Sequence, residues 1–141
     1  MAPMPMLTPP DYNLYLAICR PQPTESSGRW LLILSPPLGS PTLERSCITY
    51  QASRMPPPSE PGTWALLKEA DRPFSYPDVV TRYRLGSIRE MDVWMVDEAA
   101  RGVDPAIGRQ RFVVGVVRAL EQVGVLEEGA KEFYGKLVDE K

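Results

Sequence analysis

The chain has 141 residues, of which 43% are hydrophobic and 24% charged, with 16 prolines, two cysteines and no histidine. That is the length and balance of one globular domain able to bury its own core. Without an imidazole there is no Ser-His or Cys-His catalysis and no standard zinc site, and a net charge of −2 gives no broad basic footprint for nucleic acid or an anionic membrane.

Residues 1–11 are Pro-rich and read as a flexible lead-in to a single domain over 12–141. They lack the basic start and apolar run of a signal peptide, and no apolar stretch approaches the ~20 residues of a membrane span. A soluble cytoplasmic protein is therefore expected. Tyr12–Cys19 is an apolar, aromatic run of strand length. Turn formers fill Arg20–Gly28, and Arg29–Leu34 reads as a second strand buried on both sides, so the two resemble an antiparallel hairpin with a long connection. Ser35–Pro41 closes that strand, because proline cannot donate to a ladder.

Ser46–Ala52 alternates, with Ser46, Ile48, Tyr50 and Ala52 facing one way and Cys47, Thr49 and Gln51 the other. The Arg54–Gly62 loop is stiffened by Pro56, Pro57 and Pro58. Trp64–Ala70 fits a strand or a short helix equally. Val79–Ile88 reads as a strand, with Val80, Arg82 and Arg84 opposite Thr81, Tyr83 and Leu85. Cys19 and Cys47, both on strands, read as small buried hydrophobes.

The period then changes. Glu90–Arg101 carries Met91, Trp94 and Met95 on one helical face, and Gly102 follows as a C-cap. Asp104 and Pro105 suit the N-cap and first position of a helix over Ala106–Val123, striped by Val113, Val116, Val117 and Leu120. Gly124 ends it, and Glu127–Lys136 reads as a last short helix. Strands first and helices second predict an α+β fold: a mainly antiparallel sheet with C-terminal helices packed on one face.

No phosphate-binding glycine loop, dinucleotide fingerprint or G-x-S-x-G elbow is present. Acid–base chemistry would fall to Asp, Glu, Tyr, Lys or Cys. Asp92, Asp97 and Glu98 share one acidic helix, for which a solvated face is the plainer reading. Trp30, Trp64 and Trp94 fit a core or an aromatic pocket. Arg109 lies one turn before Val113 at a helix start, where a cation opposes the dipole unless an anion or carboxylate is near. An ion pair or a snorkelling side chain is its bland explanation.

The order of elements resembles a group of short filamentous-fungal proteins. Their pattern is an aromatic first strand, His-Trp opening the second, Tyr-His-Val in the third, a Leu-Ile-Gly-Lys-Ile strand, and Asn-Cys-Gln opening a Val-rich helix. That arrangement is remotely similar to circularly permuted papain-like folds of the lecithin:retinol acyltransferase type. Here Arg29-Trp30, Tyr50-Gln51-Ala52, Leu85-Gly86-Ser87-Ile88 and Gly108-Arg109-Gln110 stand at the matching places, so the reactive His and Cys are replaced. The resemblance implies that Arg29, Gln51 and Arg109 converge on the old cleft as an anion-binding or oxyanion-stabilising set.

On that basis the expected function is a cofactor-independent isomerase or cyclase, pericyclic chemistry included, of fungal specialised metabolism. Arg29, Arg109 and Gln51 would be catalytic. Trp30, Tyr50, Tyr83 and Trp94 would bind a small-molecule substrate, with no cofactor and no metal. No nucleic acid or membrane partner is expected, and a homodimer is allowed. The alternative is a non-catalytic binding or scaffold protein descended from a papain-like hydrolase. In that case the arginines pair with carboxylates or lie on flat surface.

Overall fold

The computed structural model describes residues 11–21, 23, 28–55, 58–60, 62–75, 78–129 and 134–138. Apart from Asp11, the Pro-rich lead-in lies outside them, as do Pro56 and Pro57. Five strands are present: β1 Tyr12–Cys19, β2 Trp30–Ser35, β3 Cys47–Arg54, β4 Trp64–Arg72 and β5 Val79–Ile88. They form one sheet in the order β4-β3-β2-β1-β5, every neighbouring pair antiparallel.

β1 and β2 are unbroken apolar runs because both of their faces are covered. Leu14 pairs with Leu34, Leu16 with Leu32 and Ile18 with Trp30, and Leu32 continues to Tyr50 of β3. These residues line the face covered by the helices. Each fully buried leucine there contributes roughly 1.5–3 kcal/mol. Tyr15, Ala17, Cys19, Leu31, Ile33 and Cys47 point the other way and form a second, smaller cluster under Phe74 and Val79.

The segment with two possible readings, Trp64–Ala70, is a strand. Its half-buried Trp64 and Leu66 recur at period two toward the helices, and β3 supplies seven partners for it, from Arg54↔Trp64 to Cys47↔Arg72. β4 ends opposite Cys47, whereas β5 begins opposite Cys19 at the far end of the sheet. In the short link between them, Phe74 lies on the second face. Phe74 in that link meets Tyr15 edge-on at 5.3 Å. Arg82 holds the link down: its Nη2 donates to the Phe74 carbonyl at 2.8 Å, and its guanidinium lies 4.5 Å from the Phe74 ring centre. Both cysteines are buried here. Burial pushes the Cys47 thiol up to about 11, with Glu44 adding to the rise and Arg82 opposing it.

The helices follow the strands and pack on one face. A 3-10 turn at Glu90–Asp92 leads into α1, Val93–Arg101. The face that packs on the sheet is not the one that carries Met91 and Trp94. Val96 and Ala100 are buried and Val93 packs beside them, while Met91 and Trp94 are exposed. Asp104 does cap, its Oδ1 accepting from the Ala106 N–H at 2.9 Å, but it caps a separate 3-10 turn, Pro105–Ile107. Gly108, at φ 117°, breaks the chain there. The long helix therefore starts later than expected, as α2, Arg109–Gln122. Its stripe of Val113, Val116, Val117 and Leu120 is buried as the spacing requires, with Phe112 beside it. Gly124, at φ 79°, turns the chain after α2, and the Val125 N–H returns to the Leu120 carbonyl at 2.9 Å. Of the helix expected at Glu127–Lys136, residues 130–133 lie outside the described set. The described part holds a turn and a short helical stretch at Tyr134–Gly135.

One glycine is fixed by close approach. A Cβ on Gly28 would sit 2.6 Å from the Cys19 carbonyl oxygen, a backbone atom with nowhere to move. Gly28→Ala should cost about 1–3 kcal/mol, as overpacking does, seen as a lower urea midpoint with an unchanged slope. An unchanged midpoint would mean that the β1–β2 connection is not packed as described.

Candidate functional site

The three residues expected to converge part company. Trp30 points to the helix-covered face, so its neighbour Arg29 turns to the second face. Its guanidinium lies 3.7 Å from the Asp78 carboxylate, just before β5. Gln51, next to the inward Tyr50, also lies on the second face and is 6% exposed. Arg109 sits on the helix side, 5.5 Å from the centre of the Trp64 ring on β4. Arg29 and Gln51 therefore share a face, and Arg109 is separated from them by the sheet. The buried polar residue at the start of α2 is Gln110 instead, whose Nε2 donates to the Gly28 carbonyl at 3.1 Å.

The aromatic candidates scatter as well. Trp30 is 2% exposed and Tyr50 fully buried, both inside the main core. Tyr83 packs against Tyr134 with ring centres 5.5 Å apart. Trp64 is half-buried, with Arg54 5.3 Å from its ring centre in addition to Arg109. Trp94 is 60% exposed. The three tryptophans thus line no common hollow.

One concentrated polar constellation was missed. Asp97, read above as part of a solvated acidic face, keeps only 19% of its side chain exposed. Its Oδ1 accepts from Lys68 Nζ at 2.6 Å and from the Tyr50 hydroxyl at 3.4 Å, and its Oδ2 from Arg101 Nε at 2.7 Å. One carboxylate thereby ties α1 to β3 and β4. Burial works to raise the Asp97 pKa. The hydrogen bond and charge of Lys68, then those of Arg101, outweigh it and hold the carboxyl below the usual carboxylate range. Burial, then the charge of Asp97, pushes the Tyr50 phenol far up, so it stays a neutral donor. Asp97 and Arg101 are an i,i+4 pair visible in the sequence. Lys68 and Tyr50 join them only through the β3–β4 register.

Anchoring Asp97 inward sets what α1 shows outside. Trp94 (60% exposed) stands on its outer side, with Met91 (69% exposed) three residues before it in the 3-10 turn and Glu98 exposed one turn further on. Among the described residues no helix is long and apolar enough to cross a membrane. No family model, curated protein or solved structure matches this chain.

Removing the carboxylate in Asp97→Ala strands the buried Tyr50 hydroxyl and should cost about 1–3 kcal/mol in chemical denaturation. Because the folded pKa of Asp97 lies below its ordinary 3.8, its ion pairs stabilise fully above that value. That contribution disappears as pH falls through the folded pKa. Asp97→Asn should lack this acid-side loss, and a parallel pH dependence in wild type and variant would contradict the assignment.

Proposed function

We propose that this domain is a non-catalytic binding protein, a scaffold of the kind the papain-like resemblance implies, which meets a protein partner through the outer side of α1. The observation that carries this reading is Trp94. A large indole left in water beside a flexible thioether is costly on a monomer surface and is the side-chain chemistry that dominates protein interfaces. The groups that catalysis would need have other work. Tyr50 is buried on Asp97, and Arg29 faces Asp78. A cofactor-free isomerase or cyclase would need Arg29 and Arg109 in one hollow, and the sheet lies between their side chains.

The test is photo-crosslinking in cells that express the protein. Trp94→p-benzoylphenylalanine should yield one adduct of fixed mass, absent when the same probe replaces Arg118, which is exposed on α2. No adduct, or the same adducts at both positions, would contradict the reading. Trp94→Ala should leave stability within ~0.5 kcal/mol; a larger loss would make the indole structural.

A further inference from the structure

We infer that the outer edge of β5 accepts an extended peptide in which acidic and apolar residues alternate. An edge strand offers a row of unpaired backbone donors and acceptors, and proteins blunt such edges unless they use them. The two edges of this sheet are treated differently. β4 ends in Lys68, Glu69, Ala70, Asp71 and Arg72, with Lys68 turned inward to Asp97 and Asp71 at φ 57°. Inward charge and a kinked backbone are what exclude a neighbour. β5 has ten residues, carries no Pro or Lys, and has no strand beside it on its outer side among the described residues. Register shifts at Val80 and Leu85 bracket a regular stretch, Thr81–Arg84. A guest strand would pair there in one fixed register.

Charge selects the guest. Arg29, Arg89 and Arg101 each have a carboxylate partner. The two arginines of β5 are held by neutral groups: Arg82 by the Phe74 carbonyl and ring, and Arg84 by Asn13 Oδ1 at 3.0 Å and Ser87 Oγ at 2.6 Å. Among the described residues neither arginine has an ion pair, and both side chains leave the same face of the strand. Opposite them, Thr81 and Tyr83 are half-buried toward the core. A paired strand sets alternate residues against these two rows, so acids would face Arg82 and Arg84, and β-branched apolar residues would face Thr81 and Tyr83. Past the Leu85 shift the edge opens into a groove of about 370 Å³ between Arg84–Ser87 and Val125–Glu127. Glu127 stands on its far wall, so the anion-accepting side is the Arg84 side. This surface is separate from the outer side of α1 and does not rest on it.

The probe is the capped peptide Val-Glu-Val-Glu-Val, titrated into the full chain and followed by backbone amide NMR. The expected result is saturable shifts and slowed amide exchange confined to Thr81–Ser87. Binding should be at least tenfold weaker for Val-Lys-Val-Lys-Val and for Arg84→Gln. It should be lost when alternate peptide amides are N-methylated, since pairing needs those N–H groups. Unmoved β5 amides at millimolar peptide, shifts on β4 instead, or equal binding by the lysine or N-methylated peptide would each overturn the inference.

Discussion

Successive side chains of a strand point to opposite faces, and at the start of β2 that single constraint decides where Arg29 can go. Trp30 fills the face under the helices, so Arg29 must leave on the other side. β3 repeats the choice, with Tyr50 inward and Gln51 outward. α2 then lays Gln110 against Gly28 and leaves Arg109 on Trp64. A site that needs Arg29 and Arg109 together would require β2 to slip by one residue, which would expose the apolar row Trp30, Leu32 and Leu34.

A second constraint, the Asp97 carboxylate, fixes the rotation of α1. With Lys68, Arg101 and Tyr50 gathered around Asp97, Val96 and Ala100 face the core, and Trp94 has nowhere to go but outward. The exposed indole is thus a consequence of packing elsewhere on the helix. The sheet edges show the same logic. Lys68 serves Asp97 and at the same time closes β4 to neighbours, leaving β5 as the open side.

Much of the fold was legible from period alone. The bounds of β1 and β5, the stripe of α2 and the turn at Gly124 follow from alternation, 3.6-residue spacing and a glycine at positive φ. The rotation of α1 was not legible. Met91, Trp94 and Met95 are the bulkier set, but the helix buries the smaller Val96 and Ala100 because a distant lysine and tyrosine hold Asp97. The Trp64 segment had no preference of its own and became a strand because β3 offered it a ladder. Asp104 is a true cap, yet Gly108 divides the helix that it seemed to open. The expected site residues part for a related reason: sequence order places Arg29, Gln51 and Arg109 near the same elements, but strand parity turns Arg29 and Gln51 to one face while Arg109 stays with α2 on the other.

The central claim is that Arg29 and Arg109 lie on opposite sides of the sheet. Oxidation of the double variant Arg29→Cys, Arg109→Cys tests it directly, because a disulfide forms only when Cβ atoms approach to about 3.5–4.5 Å with converging directions. With native Cys19 and Cys47 replaced by Ala, both introduced thiols should stay reduced under mild oxidant and react with a maleimide. Quantitative cross-linking of the two in the folded protein would place them in one hollow and contradict the account.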